Sequence, residues 1–585
     1  MNRTISTANF KNKYLLKHSL FFAAFIPVAF LIIWKCRYGF ANLDEAFYMT
    51  IPYRLLQGDA LFVNEWHPSQ MTAFILYPFA AIYTKLNGSF DGVILMSRYA
   101  CAVLFVLGGL LIYFRLSRYS WIGAAVSALS FTLFLPYNIM ALCYNSLGII
   151  LLSSSLVIFF SARSHLPIQY YLVGVLFALA VLCNPYLALA YLFYALIVFF
   201  INFLKRAGST DVLSYKTLLF VTLGAASMAI LFLTFVLSRS SLAEIIKSIP
   251  MMFTDPEHGS VGFARRLYIF LFNPIIQNSK SIVPHYFILY FLLLVCFFDK
   301  KRYSRKLLYF IPALLLTFYI MLSNAKINYI NQLMWAINLA APFVLILSEK
   351  PVVHRLFAML WIPGMFYSFC MHMASNQIFF AISAGSSVAV TGSIMMLCIF
   401  FAEIKDGLYS NFLKSCVCLI IVFMLLFQIL SVAHLRYTHI YWDTVISDQH
   451  ILMEEGFNKG IYVSDRKYKL YHELKSNLAV LNNYETENIL FLSEQTWYYL
   501  ESPLRSSSYC SILSGINENT ISRLQQYYLL CPDKLPDVVF VEKTSSENCV
   551  YPDADYIAVA NKFCQTFNYN ADEYKNCLVL TPAVN

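Results

Sequence analysis

Two adjacent carboxylates, Asp44 and Glu45, stand in the segment Asn42-Leu43-Asp44-Glu45-Ala46-Phe47-Tyr48, shortly after a long apolar run. Residues 44–57 read as a helix. Phe47, Ile51 and Leu55 share a face with Tyr48 and Leu56 beside them, Asn42 stands as a cap, Gly58 as a stop, and Pro52 as a kink. Carboxylates at a helix start are held as anions by the dipole and the open backbone N–H groups. Near a membrane surface such an anion can take a proton from a hydroxyl or bind a divalent cation. Simple helix capping is the alternative, and from these residues alone the two weigh equally. The rest of the loop adds Asp59 and the run Glu65-Trp66-His67-Pro68-Ser69-Gln70. Glu45 and His67 are candidate metal ligands. A polar contact for His67, and interfacial anchoring for Trp66 and His67, are the bland alternatives.

The elements that must position these groups are set by composition. The 585 residues are 59% hydrophobic, 17% aromatic and 13% charged, with mean hydropathy +0.61. Soluble domains carry roughly 25% charged residues, so disordered, fibrous and ordinary soluble classes drop out. Apolar runs of span length occur near 15–34, 92–114, 119–136, 146–162, 168–184, 186–204, 217–237, 282–298, 307–322, 331–348, 356–372, 377–402 and 411–433. About 13 spans follow. With the N-terminus in the cytoplasm, nineteen Lys and Arg fall inside and ten outside, as the positive-inside rule asks. The odd count then puts the tail outside. The net charge of +10 belongs to these loops and does not point to nucleic acid. No small-residue cleavage site follows the first run, so it stays as an anchor.

The domains expected are a membrane domain, 1–433, with external loops 35–90 and 238–281, and a soluble α/β domain, 434–585. The stretch 69–86 reads as an interfacial helix, with a span as the alternative. In the tail, 460–463, 488–492, 537–541 and 577–580 read as strands and 467–481 and 519–530 as helices. Nine of the 14 cysteines precede residue 420 and behave as small apolar residues. Cys510, Cys531, Cys549, Cys564 and Cys577 lie in the tail, where an extracytoplasmic setting suggests up to two disulfides of unknown pairing. Five reduced thiols are the alternative.

The first run, then Leu43-Asp44-Glu45-Ala46-Phe47-Tyr48, then Arg54-Leu55-Leu56-Gln57-Gly58-Asp59, then Trp66-His67-Pro68 resembles the first external loop of GT-C glycosyltransferases. The resemblance is to the bacterial branch related to protein O-mannosyltransferases and to the aminoarabinose and galacturonic acid transferases of lipid A. It covers nearly the whole chain in layout, while the acidic motif itself is short. It implies a GT-C-type polytopic helical fold with a C-terminal extracytoplasmic α/β domain, and a sugar donor linked to polyprenyl phosphate. It also implies transfer to a glycan, lipid or protein acceptor outside a bacterial inner membrane. Carried over position by position, Asp44 is the catalytic base, and Glu45 supports it or a cation. Several relatives carry another acid in the next short external loop. Here Pro136-Tyr137-Asn138-Ile139-Met140-Ala141-Leu142-Cys143-Tyr144-Asn145 has none, which puts metal dependence in doubt.

A departing lipid phosphate needs a fixed cation. Arg265, Arg266 and Lys326 are the candidates, with headgroup anchoring as the alternative for the arginines. Side chains adjacent on a helix point about 100° apart, so one of the arginine pair at most faces a given phosphate. Asp255, Glu257 and His258 could bind a metal, and loop polarity explains them equally. The tail has no nucleophile motif and no glycine-rich phosphate loop. The competing function is a transporter or flippase of lipid-linked saccharides, which would place ionisable residues at mid-span; the spans read as nearly free of charge. A polymerase or ligase of another membrane fold is the third reading. Membrane lipids are expected partners in every case.

Overall fold

All thirteen apolar runs are helical in the computed structural model, which describes residues 2–40, 44–163, 166–204, 211–252, 262–276, 283–299, 303–325, 330–375, 378–406, 411–440, 443–513, 516–543 and 556–583. Among the described residues, ten helices are long and apolar enough to cross a membrane. The other three runs form shorter helices, Trp121–Leu133, Pro167–Cys183 and Val283–Phe298. The first is 13 residues, about 20 Å at the helical rise and less than a hydrocarbon core. The chain is therefore a multi-pass membrane protein, and the expected polytopic bundle followed by an α/β domain is what the structure has. The stretch expected at the interface is the helix Thr72–Asn87, which is not among the candidate spans. The second long loop contributes the helices Leu242–Met252 and Phe263–Ile276.

The last span, Asn411–Thr438, runs past the expected boundary before the C-terminal domain begins. A two-residue ribbon, β1 (Ile451–Leu452) with β2 (Tyr462–Val463), is antiparallel. The main sheet comprises β3 (Asn488–Leu492), β4 (Arg505–Ser506), β5 (Val538–Glu542), β6 (Tyr569–Glu573) and β7 (Cys577–Pro582), in the order β4-β3-β5-β7-β6. β4, β3 and β5 run parallel, with Phe491 opposite Phe540; β7 returns antiparallel to β5 and pairs with β6. The apolar runs in β3, β5 and β7 are buried strands, as sheets covered on both faces require. β4, β6 and the helix Tyr556–Phe567 have no such run or lie beside polar sequence, and pattern reading missed them.

Cys531, Cys564 and Cys577 are free thiols, and Cys549 lies outside the described residues. No disulfide joins those three in the structure. Cys510 sits in a loop, Cys531 ends a helix, Cys564 lies on a helix and Cys577 opens β7. Cys531 accepts from the Asn64 amide at 3.8 Å, and Cys577 is buried in the sheet.

Contacts with the C-terminal domain explain the first long loop. The helix Asp44–Leu56 is buried from Glu45 to Ile51 without a polar face, because the bundle covers one side and the C-terminal domain the other. Tyr53 donates to the Ser502 carbonyl and Thr50 to the Thr496 carbonyl. Pro52 is accommodated within the helix, and Gly58, at φ +105°, follows its end. Arg54 is 1% exposed and uses every donor. Nε reaches Asp59 at 2.7 Å, Nη1 reaches Glu65 at 2.9 Å and Ser511, and Nη2 reaches the carbonyls of Asn64 and Ser508. Lys534 closes on the other Asp59 oxygen at 2.5 Å, and Ser511 donates to Glu65 through both N–H and hydroxyl. Trp66 stacks on Tyr509 and donates its backbone N–H to the Tyr509 carbonyl. Asp59, Glu65 and Trp66 thus join two domains and are not a second reactive cluster.

Candidate functional site

Asp44 and Glu45 occupy the first turn of the helix Asp44–Leu56, and the two side chains part company. Glu45 is 1% exposed and lies in a bidentate pair with Arg98, Nε to Oε1 at 2.7 Å and Nη2 to Oε2 at 2.6 Å. Arg98 also donates to the carbonyls of Cys36, Tyr38 and Gly39. One guanidinium therefore ties the start of the span Val93–Leu116 to the end of the first span and to the acidic helix. Gly39 makes this approach possible: its φ is +74°, and a Cβ there would lie 2.1 Å from Ile440. Arg98 is buried inside a span, which corrects the reading that the spans are almost without charge. A lone Arg in an apolar run is itself a functional signal, and it was legible at Arg98.

Asp44 is half-buried. Its charge acts on Tyr137 and Cys143, so the short loop without a carboxylate faces the acidic helix. Burial, then the charges of Cys143 and Asp44, push the Tyr137 hydroxyl well above its ordinary range. Tyr137 and Asn138 both adopt positive φ, +56° and +61°. Two consecutive non-glycine residues in that region are strained, and such strain concentrates at functional sites. The Asn138 side chain accepts from the Ile330 N–H, which fixes the loop against the helix Ile330–Ile337.

Beside this loop lies a cavity lined by Lys35, Tyr38, Glu45, Arg98, Asn138 and Arg436, with apolar walls from Leu135, Ile139, Ile330, Leu435 and Ile440. It has about 40 Å³ open to the centres of water-sized atoms, roughly three times what one water needs. Lys35 ends the first span and Arg436 lies near the end of the last, so the cavity sits at the end of the bundle that carries the C-terminal domain. His439 lines it too, and burial followed by the charge of Lys35 lowers its pKa.

The other expected site residues are elsewhere. Arg265 is exposed on the helix Phe263–Ile276. Arg266 is buried and donates to the carbonyls of His372 and Ser375 at 2.9 and 2.7 Å, while the His372 ring meets the Arg266 carbonyl. It caps the end of the helix Ile362–Met373. Neither arginine lines the cavity. Lys326, Asp255, Glu257 and His258 lie outside the described residues. His67 meets Ser69 through Nδ1 at 2.7 Å and packs its ring edge against Phe47. Among the described residues no group of three or more His, Cys, Asp and Glu side chains gathers as a metal site would. Both Glu45 oxygens are engaged by Arg98, and His67 Nδ1 meets Ser69.

No family model and no curated protein matches the chain. Among solved structures, the chain is similar over 95% of its length to 73% of the archaeal oligosaccharyltransferase AglB from Archaeoglobus fulgidus, solved with an inhibitory peptide and a dolichol-phosphate, at 12% identity and a TM-score of 0.49. Over 96% of its length it is similar to ArnT from Cupriavidus metallidurans, covering 98% of the apo structure at 14% identity and a TM-score of 0.42. The undecaprenyl phosphate-bound ArnT structure gives 97% coverage, 14% identity and a TM-score of 0.37. At these values the likeness is one of layout, and no residue role follows from it.

Proposed function

We propose that the chain is an integral membrane glycosyltransferase that moves a sugar from a polyprenyl-phosphate-linked donor to an acceptor on the side of the C-terminal domain. One observation carries this reading: a carboxylate, Asp44, at a helix start, facing a strained loop whose Asn138 lines a cavity of buried cations at the end of a helical bundle. Proton acceptor and anion seat are the two groups that transfer from a lipid phosphate needs.

In the reaction, the acceptor hydroxyl oxygen attacks the anomeric carbon and its proton passes to Asp44. The bond from that carbon to the phosphate oxygen breaks, and the electron pair leaves with the polyprenyl phosphate. Attack opposite the leaving group inverts the anomeric centre. Glu45 acts through Arg98: the pair fixes the turn that presents Asp44, which makes Glu45 a positioning residue. No step is routed through a metal. The acceptor is a glycolipid, polysaccharide or protein, and the setting is a bacterial inner membrane with the N-terminus cytoplasmic and the C-terminal domain periplasmic or extracellular.

Supporting the transferase over a transporter, the gathered charges lie at one end of the bundle, with Arg98 and Glu45 held in a bidentate ion pair and Lys35 on a carbonyl. Mass spectrometry of glycolipids and glycoproteins from cells with and without the gene tests the reading. A glycan lost on deletion and restored by the wild-type chain but not by Asp44→Asn is expected. Unchanged glycans, with a lipid-linked saccharide accumulating on one membrane face, would establish the flippase instead.

A further inference from the structure

The cavity lined by Glu45 and Asn138 is electrostatically unbalanced. Arg98 and Arg436 each lie close enough to Lys35 to act on its charge. Glu45 pairs with Arg98 through both oxygens. Arg436 is 3% exposed, its Nε has no hydrogen-bond partner, and its Nη2 meets only the Met140 sulfur at 3.2 Å. A thioether is a weak acceptor. Lys35 donates to the Tyr437 carbonyl at 3.0 Å, and among the described residues no carboxylate forms an ion pair with either Lys35 or Arg436. A guanidinium removed from water without a counter-ion is strongly disfavoured. A fold that keeps one aimed into a cavity is organised around an anion it does not itself supply.

We propose that Lys35 and Arg436 seat the phosphate of the lipid carrier, and that the seat prefers the carrier released by transfer over the sugar-bearing donor. This rests on the transferase reading above. The preference follows from charge. Neither Lys35 nor Arg436 has a carboxylate partner among the described residues, so negative charge arriving in the cavity is met by groups the protein has not neutralised. A phosphodiester donor carries one negative charge, whereas a free phosphate monoester carries about −1.5 to −2 at neutral pH. The charge that develops as the anomeric bond breaks is thus met by cations already in place, which is transition-state stabilisation by preorganised groups. The same match makes the released carrier a tight product inhibitor. Arg436 offers a fork suited to phosphate, with Nε free and Nη2 only weakly engaged, and Lys35 adds a point charge. The seat is built from the end of the first span and the end of the last, joined by Arg98 through the 36–39 carbonyls.

The test uses the full chain in nanodiscs of zwitterionic lipid, with undecaprenyl phosphate, undecaprenol and inorganic phosphate as probes, read by thermal shift and native mass spectrometry. Undecaprenyl phosphate should stabilise the protein, undecaprenol should not, and an undecaprenyl-phosphate sugar should bind more weakly than the free carrier. Arg436→Met should lose affinity for undecaprenyl phosphate by about 30-fold or more, and its melting temperature without ligand should rise, because an uncompensated buried charge has gone. Arg436→Lys, which keeps the charge and loses the fork, should lose affinity only in part and guards against misfolding of the first variant. Equal stabilisation by undecaprenol, equal stabilisation by inorganic phosphate, or unchanged affinity in both Arg436→Met and Lys35→Met would each overturn the lipid-phosphate seat. If the seat behaves as expected and no sugar transfer from any polyprenyl-phosphate donor is found, the transferase reading fails while the seat stands. If Asp44→Asn abolishes transfer and both Arg436→Met and Lys35→Met bind carrier normally, the reverse holds.

Discussion

Glu45→Gln separates the two chemistries that an acidic pair at a helix start allows. In the structure Glu45 is a buried counter-ion: its oxygens lie 2.7 and 2.6 Å from Arg98, which is itself 5% exposed. Removing one partner of a buried pair typically costs 3–5 kcal/mol, because the other charge is stranded. Two features set the effect near the low end. The amide oxygen can still accept one bond, and Arg98 keeps the carbonyls of Cys36, Tyr38 and Gly39 at 2.8, 3.4 and 2.7 Å. One feature acts the other way, since a third unmatched cation now stands beside Lys35 and Arg436. A loss of about 3 kcal/mol is expected.

The assay is apparent melting of the purified chain, with amide exchange of residues 36–48 reporting where the structure loosens. The double variant Glu45→Leu with Arg98→Met should recover much of the loss, since replacing both members of a buried pair with apolar groups is often neutral or better. Transfer should fall in proportion to the loosening of the acidic helix. A Glu45→Gln protein that melts like wild type, yet loses activity in a manner restored by added divalent cation, would refute this reasoning. Glu45 would then be a cation ligand.

Asp44→Asn should leave melting unchanged and cut transfer by about 10²–10⁴-fold, measured with a polyprenyl-phosphate sugar; near-normal turnover would remove the base assignment. Arg266→Ala should destabilise by about 1–3 kcal/mol through two carbonyls left without their donor, whereas Arg265→Ala, on an exposed position, should change melting by less than about 0.5 kcal/mol; equal effects in melting assays would contradict the placement. A reporter fused after Asn585 should behave as periplasmic, and cytoplasmic activity would mean that an even number of spans crosses. Glu542, buried at the end of β5 and hydrogen-bonded to Ser493, has its pKa raised by burial to about 7 from 4.5. The folded domain prefers it protonated, so its contribution is full below pH 4.5 and fades as pH rises through 7, by about 3 kcal/mol. Glu542→Gln should flatten that dependence, read by exchange of the 538–542 amides between pH 4.5 and 8.

How much of this was legible depended on the reach of each signal. Hydrophobic runs are local, and all thirteen helices, together with β3, β5, β7 and the helix Asp44–Leu56, announced themselves. The site is the opposite case. Asp44 stands out in the sequence because the acid pair is contiguous with a helix start. Lys35 and Arg436, at opposite ends of the membrane domain, read as ordinary flanking charges, since only tertiary packing reveals that neither has a carboxylate partner. Arg265 and Arg266 looked better because they sit together in a long external loop, but adjacency in sequence says nothing about which carbonyls a guanidinium will find.

The same logic explains why loop polarity misled at Asp59, Glu65 and His67. Charged residues concentrated in an external loop suggest solvent or ligand, and here they meet a second domain. Arg54 satisfies all its donors with Asp59, Glu65 and the backbone of 64 and 508, and Lys534 completes the cluster from the far side. A buried network of this kind adds little net stability compared with apolar packing, but it fixes register when it is fully satisfied. It is well placed to do so, at the far end of the helix whose first turn holds Asp44. The contrast between the two ends of that helix is the strongest argument for where the chemistry lies. At one end every charge is matched by the protein itself, and at the other two cations around a cavity are not.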